Sequence, residues 1–133
     1  MRAIGIVLLI LLYACSTPSD EPDMSCHKLT ATAYNSLPYQ TRPGTPGNIA
    51  AWGDTLEPGM KSIAVSRDLI DSGYVHGARV LIEGFEGDTF VVLDKMNYRF
   101  RRRIDIYMGV DVKKARNFGR QSKWVCLLEE ASK

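Results

Sequence analysis

The chain has little of what most metal and nucleophile sites require. Its two histidines, His27 and His76, are isolated from each other and from any cysteine pattern. The three cysteines form no C-x-x-C, so no metal is expected, and no motif calls for an organic cofactor. A Ser-His-Asp arrangement is missing, and the Asp-Thr/Ser-Gly tripeptide of the aspartic proteases occurs once, as Asp71-Ser72-Gly73, without the duplicated lobe that supplies their second aspartate. An excess of one charge is lacking too: 17 Lys and Arg stand against 15 Asp and Glu, a balance that gives no reason to expect nucleic acid. Repeats and heptads are absent, which excludes solenoids and coiled coils.

What is present begins with one apolar run, in "MRAIGIVLLILLYAC". Arg2 precedes an apolar stretch, Ala3 to Leu12, that is too short for a comfortable membrane span. "LYAC" then sets Ala14 before Cys15 and resembles a bacterial lipobox. That reading makes residues 1–14 a lipoprotein signal peptide and Cys15 a lipidated N-terminus that reaches the membrane through its acyl chains. The alternative is an uncleaved anchor helix with an incidental cysteine. Ser16, in place of an acidic residue, favours the periplasmic face of the outer membrane over the inner one, by resemblance to the enterobacterial sorting rule. Residues 15–25 read as the lipidated cysteine and a polar, proline-containing tether. The remainder, 26–133, suffices for one compact domain. With Cys15 committed to lipid, Cys26 and Cys126 form an even pair, which in an envelope protein reads as a disulfide; the alternative is two buried free thiols.

Within the domain, "KLTATAY" (28–34) alternates like a strand. A proline- and glycine-rich loop follows to residue 59, long enough to suggest function. "KSIAVS" (61–66) is a second strand, and 67–77 a turn-rich connection. Residues 78–85 and 88–94 form a hairpin about Glu86-Gly87, "RIDIYMG" (103–109) is a fifth strand, and "SKWVCLLE" (122–129) a sixth. Between the last two, Asp111 is a helix N-cap, Val112, Ala115 and Phe118 share a face, and Gly119 ends the helix. Six short strands and one small helix indicate a mainly β fold closed into a barrel. Trp124, on the closing strand, is expected in its core.

The segments "IAVSRDLI", "FVVLDKMN" and "RRIDIYMGVDVKKARNFG" resemble the 3D domain, a family named for three aspartates and found at the C-terminus of the membrane-bound lytic transglycosylase A group. The resemblance spans residues 29–127 and implies a six-stranded double-psi β-barrel. It sets the three aspartates at Asp68, Asp94 and Asp105. In those transglycosylases the segment after the second aspartate is glycine-rich; here it is "DKMNYRFRRR", bulky and basic.

The resemblance also implies the chemistry. Lytic transglycosylases cleave the β-1,4 bond between N-acetylmuramic acid and N-acetylglucosamine, with the sugar's own C6 hydroxyl as nucleophile. One carboxyl then serves as acid and as base. By the family's motif it is Asp105, with Asp94 supporting it and Asp68 structural. An aspartic acid with the ordinary value of about 3.9 is almost wholly ionised at neutral pH, so burial or a second carboxylate must raise it. Arg103 shares a strand face with Asp105 and Tyr107, and a close guanidinium would pull the other way. Turned outward, Arg99, Arg101 and Arg103 suit the glycan's carboxylates, the alternative being a solvated basic loop; Tyr34, Tyr39, Trp52, Tyr98 and Tyr107 are candidate sugar-stacking faces or ordinary half-buried aromatics of a small barrel. The expected partners are peptidoglycan glycan strands, with a further protein partner left open. The competing expectation is a barrel that binds glycan or organises the envelope without cleaving it.

Overall fold

The computed structural model describes residues 24–37 and 47–128. The leader, Cys15, most of the tether and Tyr39 lie outside these residues. The elements run β1 (Met24–Tyr34), β2 (Ser62–Val65), a 3-10 turn (Arg67–Ser72), β3 (Arg79–Ile82), β4 (Phe90–Lys95), β5 (Arg103–Tyr107), α1 (Val112–Phe118) and β6 (Gln121–Leu128). The six strands close into a barrel in the order β1-β5-β2-β4-β3-β6. Two pairs, β1–β5 and β2–β4, are parallel, and the other four are antiparallel.

Period-two alternation decides which side chains fill the barrel. Leu29 and Ala31 of β1, Ile63 and Val65 of β2, Phe90 and Val92 of β4, Ile104 and Ile106 of β5, and Val125 and Leu127 of β6 all point inward and are buried together. The residues between them face out. Trp124 follows this rule rather than the core placement its size suggests: it is 48 % exposed, and the ammonium of Lys28 lies 5.8 Å from its ring. The inward sites on either side of the disulfide cysteine are taken by Val125 and Leu127.

The barrel also starts earlier than the tether reading allows. Met24 and Ser25 are already in β1, paired with Leu128 and Leu127 of β6. Their polar surroundings in the sequence conceal this, because the partner strand comes about a hundred positions later. Cys26 and Cys126 lie directly opposite each other in that ladder and are joined by a disulfide.

The small helix forms where its signals place it. Asp111 accepts a hydrogen bond from the Lys114 amide at 2.9 Å, and Gly119 ends the helix with φ 63°. With about two turns to stabilise, Asp111→Ala is expected to cost about 1 kcal/mol. Chemical denaturation would measure it, and a loss below a few tenths would show that packing alone holds α1.

Candidate active site

Four adjacent strands bring one row of residues side by side on the outer face of the barrel. Thr32 of β1 is in register with Asp105 of β5, Asp105 with Ala64 of β2, and Ala64 with Asp94 of β4. Strands lie about 4.8 Å apart, so the backbones of the two aspartates are separated by about 10 Å, with only a methyl group between them. Asp105 faces out because its neighbours Ile104 and Ile106 face in.

Asp94 needs a device. Phe90 and Val92 face inward, so simple alternation would send Asp94 into the core. The pairing shifts between Ile63 and Ala64, so that Val92 opposes Ile63 but Asp94 opposes Ala64, leaving Leu93 as an extra residue. Such a bulge re-aims the side chain that follows it. Asp94 Oδ1 then accepts from the amides of Ala51 (2.7 Å) and Lys95 (2.9 Å), and Oδ2 from the Tyr34 hydroxyl (3.3 Å). Asp94 thus fastens the segment around residue 51 to the barrel. That segment doubles back through an Ile49–Thr55 bridge and packs Ala50 and Leu56 against Tyr107, Tyr34 and Leu93.

Asp105 is half-buried, and burial raises its carboxyl above the ordinary carboxylate range. A hydrogen bond from Thr32 and the charge of Arg103 act against this, and the negative charge of Asp94 adds to it. The balance keeps a proton on Asp105 to higher pH than on an ordinary aspartate. Burial first, then Asp94 and Asp105, push the Tyr34 hydroxyl far above its usual value, so Tyr34 stays a neutral donor.

Arg103 lies on the same face but makes no ion pair with Asp105 among the described residues. Its Nε and Nη2 donate to Thr32 Oγ1 at 3.1 and 2.9 Å, while its guanidinium carbon sits 4.6 Å from the centre of the Phe100 ring. Thr32 Oγ1 in turn donates to Asp105 Oδ1 at 2.9 Å.

The other residues singled out in the sequence fall into two groups. Arg99 and Arg101 are exposed in the loop between β4 and β5, Arg99 stacked on Phe100 at 4.8 Å, and Tyr98 is 79 % exposed. Trp52 is half-buried, with the Lys95 ammonium and the His76 ring each 5.2 Å from its own. Tyr107, by contrast, is buried and its hydroxyl is held by Ser36 Oγ at 2.7 Å, so its ring offers no face for a sugar. Neither histidine belongs to a metal-ligating cluster among the described residues: His27 meets the Tyr74 hydroxyl and His76 pairs with Asp54.

Asp68 stands apart from the row. Its carboxylate accepts from the Arg102 amide at 3.0 and 3.3 Å. Arg102 is the one non-glycine among the described residues with positive φ, 46°, and this contact holds its strained turn at the mouth of β5. Burial alone would raise Asp68, but the Ser66 hydroxyl, the Arg102 amide and the charge of Arg101 outweigh it and hold the group below its ordinary value. A depressed folded value stabilises the protein above the unfolded value of about 3.9 and loses that contribution as pH falls through the folded one. Asp68→Asn is therefore expected to cost about 1 kcal/mol at pH 7, allowing for solvent screening, and less at pH 2. Urea melts at the two pH values would check it; an equal cost at both would mean that charge plays no part.

Thr32, Ala64 and Ser66 are site residues that the sequence reading passed over. The even positions of "TATAY", polar or aromatic between buried Leu29 and Ala31 on one side and Asn35 on the other, are the signal that could have found Thr32.

No family model and no curated protein matches the chain. Among solved structures, the crystal structure of an apo expansin from Clavibacter michiganensis superposes with a TM-score of 0.54 at 16 % identity. The match covers 82 % of this chain and 53 % of that one, so the chain spans about half the length of the expansin structure. The fold is a double-psi β-barrel. At that identity the likeness extends to the barrel fold alone, and it does not bear on the three-aspartate resemblance.

Proposed function

We propose that this protein is a lipid-anchored, peptidoglycan-active barrel that cleaves glycan strands by lytic transglycosylase chemistry at Asp105. The observation that carries the reading is the environment of that carboxyl. It is half-buried on a rigid strand, raised above its ordinary range, and free of a direct ion pair among the described residues. A general acid must be protonated near working pH, and this setting favours it. The three-aspartate resemblance supplies the substrate class.

In the proposed reaction Asp105 gives its proton to the glycosidic oxygen as the bond from that oxygen to C1 breaks. The C6 hydroxyl oxygen then bonds to C1, and its proton returns to the carboxylate. The products are a 1,6-anhydro-muramic acid end and a free N-acetylglucosamine hydroxyl, and no water is consumed. Thr32 orients Asp105, Asp94 adds negative charge nearby and holds the adjoining loop, and Asp68 secures the turn into β5. Arg99 and Arg101, exposed beside the row, would meet substrate carboxylates. Cys15 would fix the protein to the periplasmic face of the outer membrane.

The charge of Arg103, which favours the ionised form of Asp105, supports a second reading: a barrel that binds glycan without cleaving it. Incubation with purified sacculi, followed by mass spectrometry of the soluble fraction, separates the two. Muropeptides ending in 1,6-anhydro-muramic acid are expected. Protein that pellets with sacculi and releases nothing would sink the enzymatic reading and leave the binding one.

A further inference from the structure

Arg103 and Asp105 carry opposite charges two positions apart on one strand face, yet the guanidinium bonds to Thr32 instead. The hydrogen inventory explains how this is held. Arginine can only donate, so both of its contacts at 3.1 and 2.9 Å occupy lone pairs of Thr32 Oγ1. The single hydroxyl hydrogen must therefore point elsewhere. Asp105 Oδ1 at 2.9 Å takes it, the Ile104 carbonyl at 3.5 Å being at the limit of a hydrogen bond. Phe100, 4.6 Å from the guanidinium, holds its other side.

We infer that Thr32 is a positioning residue that insulates the candidate acid from Arg103: its hydroxyl consumes two guanidinium donors and replaces a direct ion pair with one hydrogen bond from an uncharged donor. The inference rests on the proposed role of Asp105 for its functional meaning, though not for its test. Among the described residues, the charged groups around Asp105 are Arg103 on β5 and Asp94 on β4; Tyr34 on β1 and Tyr107 on β5 are the titratable hydroxyls on the same face, and β2 contributes Ala64. With Thr32 gone, the guanidinium loses its acceptor and the nearest anion on its face is Asp105. A direct pair lowers a carboxyl by about one to three pKa units.

If Thr32 were only a donor to the carboxylate, its loss would raise Asp105. If it is an insulator, Thr32→Val lowers Asp105, because the ion pair that replaces the hydrogen bond is the stronger effect.

The test is a carboxyl-carbon NMR titration of Asp105 in the full-length protein, labelled at aspartate and held in detergent micelles. Thr32→Val is expected to move the Asp105 midpoint down by at least about one unit, a tenfold loss of the protonated form at a given pH. Thr32→Ser should leave it within a few tenths, and Thr32→Val with Arg103→Met should return it to the parent value or above, since both groups that favour the carboxylate are then gone. Arg103→Met alone should move it by much less than the Thr32→Val change. An unchanged or raised midpoint in Thr32→Val overturns the inference, and so does a fall that Arg103→Met does not reverse. Should Thr32→Val lose its dispersed amide spectrum, Thr32→Ala is read by the same criteria. No glycan enters the experiment, so the insulating role can fail while sacculus cleavage stands, and the reverse.

Discussion

Asp105→Asn is expected to abolish release of anhydro-muropeptides from sacculi, lowering the rate by about 10²–10⁴-fold, the range over which a positioned acid or base contributes. Asparagine keeps the shape and still accepts from Thr32, but it cannot give or take the proton. The barrel should not suffer. Burial raises Asp105, so the folded protein binds that proton more tightly than the unfolded chain does. The stability linked to this proton is fully present below the unfolded value of about 3.9 and is lost as pH rises through the folded value. At pH 7 the ionised group is thus a cost that asparagine removes. The variant should be at least as stable as the parent at pH 7, and any advantage should shrink as pH falls below the folded value of Asp105. Thermal melts across pH alongside the sacculus assay would show this pairing of lost activity with kept stability. Full activity in the variant would remove Asp105 from the chemistry; lost activity with a collapsed melting temperature would make it structural. In the parent, the alkaline limb of the activity profile should lie above that of an ordinary aspartic acid.

Reduction of Cys26–Cys126 is expected to be the most damaging change to stability. The bridge spans 100 positions. In the chain-entropy model a loop of that size contributes about 4.7 kcal/mol, with about 2–5 kcal/mol usual when a native bridge is removed from a small secreted domain. Domains of this size have a total stability of about 5–15 kcal/mol. At about 4–8 °C per kcal/mol, the melting temperature should fall by roughly 20 °C on reduction or in a Cys26→Ala, Cys126→Ala double variant. Calorimetry with and without reductant would measure it. A fall of under about 3 °C, with both thiols titrated as free, would mean that the β1–β6 ladder holds the chain's ends without help.

The contrast between what could and could not be read from the residues follows from how far each signal reaches. "ARVLIEGF" and "DTFVVLD" announce a hairpin because partner and turn lie within a few positions, and Asp111 announces a helix for the same reason. The disulfide was legible by elimination, once Cys15 was set aside. Asp105 was legible as an outward residue because isoleucines flank it. Asp94 was not: its outward direction depends on a bulge at Leu93, and nothing in "FVVLD" marks the shift against β2. Trp124 faces out, against the core placement expected from the closing strand, because only the ladder to β1 fixes its parity. Thr32 and Arg103 are about seventy positions apart, so their bonds, and with them the setting of the candidate acid, exist only in the folded chain.

The strand order carries a consequence for the time course of folding. β1 has two neighbours, β5 and β6, the last two strands in the chain. Made from its N-terminus, the protein therefore synthesises first the strand that is the last to find either partner. Pairings of such long sequence separation close slowly. While it waits, β1 presents two open edges and an unpaired cysteine; β5 covers one edge, and the barrel closes only when β6 covers the other and brings Cys126 opposite Cys26.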